Sequence, residues 1–230
     1  MNAFLIFVTL LFAAILVVVW SKLRAARRAD YIRTYTFPNG LFERLRKRRP
    51  ELTLKDCQLI SRALRQFFLA HLKSGRKFIS MPSQIADDLW HEFILYTKHY
   101  DQFCQHAFGR FMHHTPAVVL STDRQNNAGL RRCWWFTCKE ENINPKKPVR
   151  LPLLFALDEK LNIPDGFRYV ADCQSVRRQS EKADTGGAVH CGGDFGSAGF
   201  DGGTDGFGDS GSDGGGSGDG GCGGGCGGGD

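Results

Sequence analysis

The sequence predicts an all-α protein made of a single N-terminal transmembrane helix, a cytoplasmic helical bundle and a disordered glycine-rich C-terminal tail. Three observations carry this. Residues 3–20 form an uncharged apolar run, apolar residues recur at helical spacing between capping residues from Thr53 onward, and 23 of the 28 glycines fall after residue 183. Four segments follow: an anchor at 1–21, a basic juxtamembrane segment at 22–50, a helical domain at 51–182 and a Gly/Asp/Cys-rich tail at 183–230.

The anchor comes first. The run from Ala3 to Trp20 has one hydroxyl, Thr9, and no charge; as a helix it covers roughly 27 Å, enough to cross a bilayer. A cleaved signal peptide carries its positive charge before a shorter apolar stretch. Here Lys22, Arg24, Arg27 and Arg28 all follow the run. The positive-inside rule then predicts a single-pass protein of the inner cell membrane, with its amino terminus outside and the rest cytoplasmic. In that compartment the eight cysteines are read first as thiols, core residues or metal ligands rather than disulfides.

Charge is divided along the chain. The formal net charge of +6 conceals a tail with eight aspartates and no Lys or Arg, so residues 1–182 hold 30 basic against 16 acidic side chains. Residues 22–50 alone have ten basic and two acidic side chains. Such a segment is drawn to anionic lipid headgroups by about 1 kcal/mol per charge near the surface. Leu41, Phe42 and Leu45 give residues 41–49 an apolar face, which predicts a short amphipathic helix on the membrane; a stop-transfer flank with a solvated helix behind it explains the charge as well. Nucleic acid is not an expected partner, because no RNP-like, zinc-finger or helix-turn-helix pattern accompanies the charge.

The bundle follows in order. Thr53 caps a helix to about Leu72 in which Cys57, Ile60, Leu64 and Phe68 share a face, with Gly75 just beyond. Ser83 after Pro82 caps the next, whose broad apolar arc is Ile85, Ala86, Leu89, Trp90, Phe93 and Ile94, with Asp87 and His91 together on the opposite arc. A helix from Thr97 to Phe108 carries Tyr100, Phe103, Cys104, Ala107 and Phe108 as its apolar stripe and stops at Gly109. A further helix begins near Asp123 and runs through Gly129 to Phe136, although an internal glycine argues against it. Asn142 to Pro148 connects to a helix from Leu151 with Pro152 in its first turn. Asp165-Gly166 then turns the chain into Phe167, Tyr169 and Val170, a short strand or extended edge. No series of strands able to build a sheet is present, so five or six helices form the core.

Chemistry concentrates between Met81 and Pro116, where five of the seven histidines lie with a Trp-His pair and one cysteine. The order Asp87, Trp90-His91, Tyr100, Cys104, Phe108-Gly109 and His113 resembles the signature of the glycine-rich domain-containing proteins, known in plants and fungi and, with membrane anchors, in bacteria. Where plant members commonly have a second histidine two residues after the Trp-His histidine, this chain has Phe93. The resemblance brings no established reaction with it.

Three readings of these residues stand side by side. A metal site would use His91, Cys104 and His113 or His114, with Asp87 as a fourth ligand or as acceptor for the His91 ring, a donor set that suits zinc. A thiol enzyme would use Cys104 as nucleophile, His91 as its base and Asp87 as orienting group. A purely structural role buries Cys104 in its apolar stripe and leaves Asp87 and His91 as a helix-surface pair. In the tail, Cys222 and Cys226 on a glycine tether, with Cys191 before them, could chelate zinc or copper, oxidise or be modified, or the tail simply solubilises the chain. The functional expectation is a membrane-anchored binding or scaffolding module for a protein partner not identified by the sequence, with a zinc-binding or thiol-dependent enzyme centred on His91 and Cys104 as alternative and a carrier of a modified or metal-chelating Gly/Cys tail as the second.

Overall fold

A computed structural model describes residues 2–114, 124–171 and 189–191. It is all-α apart from one small pairing of strands: α1 Asn2–Thr34, α2 Leu41–Arg48, α3 Leu54–Lys73, α4 Gln84–Ile94, α5 Thr97–Phe108, α6 Arg124–Glu140 and α7 Leu153–Lys160, followed by β1 Arg168–Val170 and β2 Val189–Cys191. The predicted starts of α3 and α4 have physical counterparts. Thr53 and Asp56 form a reciprocal capping box, and the Ser83 hydroxyl accepts from the Ala86 amide. Gly109, with φ 74°, ends α5 in the left-handed conformation that glycine adopts without a Cβ penalty.

Helix α1 is long and apolar enough to cross a membrane. It does not stop where the apolar run stops. Residues 4–27 are exposed, and the same unbroken helix then delivers Ala29 and Ile32 into the core. Phe37, Leu41 and Leu45 join the same core. The packed domain therefore begins near Ala29 and not at residue 51, and the segment 22–50 is no separate unit. The apolar face of α2, expected against a bilayer, faces inward instead: Leu41 and Leu45 are fully buried and Phe42 packs beside them. Its cationic face explains why. Arg44 Nε and Arg48 Nη1 reach the Glu92 carboxylate of α4 at 2.7 and 3.3 Å, and Arg49 bridges Asp88 and Asp165. Burial works against the charge on Glu92, yet the two arginines hold its carboxyl below the ordinary range.

At the centre, α3 presents Phe67 and Phe68 to Trp90 of α4 and Phe103 of α5, with Phe67–Trp90 and Phe68–Phe103 ring centroids 5.0 and 4.8 Å apart. Helix α6 crosses α3 in spite of Gly129. A Cβ there would lie 2.4 Å from the Ser80 hydroxyl and 2.7 Å from the Phe78 ring, so the absent side chain is what lets the two segments approach. Pro152 sits just before α7 as its N-cap.

One buried carboxylate ties the last helix to the middle of the bundle. Asp158 of α7 accepts from Ser83 Oγ at 2.6 Å, from the Gln84 and Ile85 amides at 2.7 and 3.3 Å, and from the Phe167 amide at 2.9 Å. It thereby satisfies amides at the start of α4 that the helix itself leaves unpaired. The expected edge at Tyr169 is β1, and it pairs in parallel with β2, Tyr169 opposite His190. Residues 189–191 are thus ordered strand within a segment expected to be disordered; the remainder of 183–230, including Cys222 and Cys226, lies outside the described residues, as do residues 172–182.

Two outcomes follow for stability. Replacing Asp158 by Ala leaves three amides and a hydroxyl unpaired in the interior and is expected to cost roughly 3–5 kcal/mol, with Asp158→Asn losing less, measured by chemical denaturation. His71 is buried, with Nδ1 3.1 Å from the Lys77 carbonyl; burial dominates and lowers its pKa from 6.5 to about 4. Between those two values the unfolded chain binds a proton that the folded chain refuses. Stability is therefore expected to fall by about 3 kcal/mol as pH drops from 6.5 to 4, and His71→Gln to remove that part of the acid slope.

Candidate functional site

The site grows out of the start of α4. With its start fixed by Ser83 and Asp158, α4 carries Asp87 in its first turn and His91 one turn later, on the side away from the core. His91 Nδ1 lies 2.9 Å from the Asp87 carbonyl and 3.3 Å from Asp87 Oδ2. The other oxygen, Oδ1, meets His114 Nε2 at 2.9 Å. The two imidazole rings are 4.1 Å apart. One carboxylate thus stands between two imidazoles, one from its own helix and one from a loop.

That loop is positioned by a short hydrogen-bonded chain. Trp90 Nε1 donates to the Tyr100 hydroxyl at 3.2 Å, and this hydroxyl donates to the Met112 carbonyl at 2.6 Å. The chain past Gly109 is drawn back over α4, and the His114 ring lands edge-on against Trp90 at 4.5 Å. Burial is graded across the cluster. His114 and Asp87 side chains are 10% and 16% exposed, His91 44%, so the cluster has a packed floor and opens to solvent at His91.

The ligand atoms of Asp87, His91 and His114 all lie within 4.8 Å of one another. A tetrahedral ion with bonds of about 2.0–2.1 Å needs its ligand atoms about 3.4 Å apart. The two carboxylate–imidazole separations, 3.3 and 2.9 Å, run to different oxygens of Asp87, and the three ligand atoms as a set span up to 4.8 Å, so an ion would have to draw the two rings together around it. A cation there would replace the contacts between carboxylate and rings, each ring offering it an unprotonated nitrogen. Three protein ligands with an exposed side leave a position for water or a fourth donor.

The residues named from the sequence separate into two layers. Asp87, His91 and His114 come together. Trp90 forms the floor under His114, with Tyr100 and Cys104 hydrogen-bonded behind it, and Phe108 is buried against Phe68, Phe103 and His71. Cys104 does not join the cluster. It is fully buried, hydrogen-bonded with Tyr100 and the Met112 backbone, and burial pushes its thiol up, away from thiolate. No hydrogen bond links it to His91 among the described residues, so neither the Cys104 ligand nor the Cys104–His91 nucleophile pair has geometric support. His113 points elsewhere: it is exposed and stacks near Phe111 at 4.9 Å. Cys133 and Cys138 are buried on α6, and burial raises both thiols. Cys191 is placed on β2.

Asp158 and the Tyr100 hydroxyl were not singled out by sequence, and both position the site without touching a ligand. Tyr100→Phe is expected to cost about 1–3 kcal/mol by unpairing the Met112 carbonyl and Trp90. Hydrogen exchange should then quicken at residues 110–114 more than in α3, and a uniform increase would instead mean general destabilisation.

A protein-family model described as UCP032817-like matches residues 27–195. The match takes in the buried end of α1, every later element and all three clustered residues. No curated protein and no solved structure matches the chain. With the matched stretch covering well over half of its 230 residues, the chain belongs to the UCP032817-like family.

Proposed function

We propose that this chain is a single-span protein of the inner membrane, amino terminus out and domain in the cytoplasm, whose helical domain is a binding module for a divalent transition-metal ion, zinc first, held by Asp87, His91 and His114. The observation that carries the metal is that a carboxylate and two imidazoles from separate segments meet within 4.8 Å beside an open face. Imidazole and carboxylate together suit zinc better than calcium or magnesium, which favour all-oxygen sites.

Anchoring is supported by α1 itself. The helix passes without a break from its exposed apolar part into the core at Ala29 and Ile32, so removal of the apolar part would cut a helix rather than a loop. The orientation rests on the basic residues that follow the run. The likeness to glycine-rich domain proteins belongs to the same reading, because Trp90 of that pattern packs against His114 and Tyr100 holds its loop. Binding is favoured over thiol catalysis, since Cys104 lies buried with a raised pKa and away from the base assigned to it.

The test is metal content of the full chain in detergent, with Cys191, Cys222 and Cys226 changed to Ser so that tail thiols contribute nothing. One equivalent of zinc is expected. His91→Ala, His114→Ala and Asp87→Asn should each weaken binding at least tenfold, about the loss seen for outer-shell changes alone, while Cys104→Ser retains it. A metal-free protein, or occupancy indifferent to all three substitutions, would return the cluster to a structural hydrogen-bond clamp.

A further inference from the structure

The cations of the juxtamembrane region differ in what they meet, and beyond Lys22, Arg27, Arg46 and Lys47 two sets stand out. Arg33, Arg44, Arg48 and Arg49 meet carboxylates. Arg24 and Arg28 meet none among the described residues, and neither do Arg76 and Arg110 from two other segments. The fold gathers these four.

Helices α3 and α5 run antiparallel to the last turns of α1. At the far end Arg65 of α3 donates to the Tyr35 carbonyl, and Tyr96, at the start of α5, approaches the Asn39 carbonyl. At the near end both helices finish beside Arg28. Its guanidinium lies on Gly109, where an added Cβ would come within 2.5 Å of Nη2. Arg76 Nη1 donates to the Phe108 carbonyl at 2.9 Å, and Arg110 Nη2 donates to the Arg76 carbonyl at 2.7 Å. Burial, then the charges of Arg24 and Arg76, lower the Arg28 pKa, as crowding of like charges requires. The carboxyl end of α5 supplies only about half an elementary negative charge against four guanidinium groups. Capping therefore accounts for Arg76 but not for the gathering.

The cluster also has a fixed height. Arg24 lies over the Trp20 ring at 5.1 Å, at the end of the apolar run. Arg28 stands about 12 Å further along the helix axis than Trp20, next to the headgroup layer of a bilayer that the run would cross.

We infer that Arg28, Arg76 and Arg110, with Arg24, form a site for the phosphate of an anionic phospholipid headgroup at the inner face of the membrane. The inference rests on the anchored, inward-facing placement proposed above and is independent of the metal. Guanidinium forks from three segments match phosphate oxygens in a way a diffuse lysine cloud does not. Lys22 and Arg27 add only general attraction.

Native mass spectrometry of the full chain in detergent, titrated with phosphatidylglycerol or phosphatidylcholine, reads the site directly. One phosphatidylglycerol should be retained in preference to phosphatidylcholine. Arg28→Gln, which disturbs no hydrogen bond to the fold, should lower retention about fivefold, and the double change Arg76→Gln with Arg110→Gln should lower it further. Lys98→Gln, the same loss of charge at the other end of α5, should leave retention unchanged; an equal effect there would reduce the site to net charge and overturn it. Displacement of the lipid by millimolar inorganic phosphate, with the same arginine dependence, would assign the site to free phosphate and overturn the lipid. Alkaline carbonate extraction and intact mass are read in parallel. Release from membranes or loss of the apolar run would defeat the anchoring, whereas a retained chain without preference for phosphatidylglycerol would defeat the site alone.

Discussion

The buried carboxylate of Asp158 holds together what the rest of the domain uses. A helix start leaves amides pointing along its axis with no internal partner, and inside a protein such amides are costly to strand. Asp158 answers two of them at the start of α4 and the Ser83 hydroxyl besides, while its third backbone bond fixes the approach to β1. Helix α4 then carries outward, on one side, the acids that hold α2, and on another the carboxylate and imidazole of the cluster. The position of Asp87 relative to His114 thus depends on a residue 71 positions further along the chain.

Charge in this chain is sorted by structure rather than by sequence neighbourhood. The basic stretch after the apolar run looks uniform when read in order. In three dimensions its second half turns inward on Leu41 and Leu45, and three of its arginines, Arg44, Arg48 and Arg49, meet Glu92, Asp88 and Asp165. Glu140 likewise joins α1 to α3 and α6 through Arg33 and Lys73. Burial of apolar side chains drives α2 into the core, and the partly shielded ion pairs fix its direction. Arg24 and Arg28, nearer the apolar run, have no carboxylate partner among the described residues.

Much of the helical layout was legible because it is local. Thr53, Ser83 and Gly109 are capping signals complete within a few residues, and the apolar stripes of α3, α4 and α5 repeat at a period that only a helix satisfies. The illegible parts depend on distant partners. An apolar face such as that of α2 fits a bilayer and a protein core equally well, and only Glu92 and Asp88 on another helix decide between them. His113 and His114 are adjacent and chemically identical in sequence; the Tyr100 bond to the Met112 carbonyl sets which one turns toward Asp87. Cys104 satisfied both a core pattern and a site pattern, and its burial between Tyr100 and the Met112 backbone decides for the core. Gly129 reads as a helix breaker until the Phe78 and Ser80 side chains fill the space beside it. Strand β2 is three residues long in a glycine-rich context, and its partner strand supplies the ordering that its own composition does not.

The unbroken passage of α1 from apolar run to core makes the domain a rigid lever rather than a tethered ball. A flexible linker would let a domain tumble and present any face to the bilayer. A continuous helix, clasped by α3 and α5, gives each surface of the domain one azimuth and one altitude relative to the apolar run. In the anchored arrangement proposed above, a bilayer thinner than that run would tilt the helix, and the whole domain would tilt with it, lifting one flank and pressing the other toward the lipid. Membrane thickness would in that arrangement set the angle at which the Asp87–His91–His114 opening faces the surrounding solution.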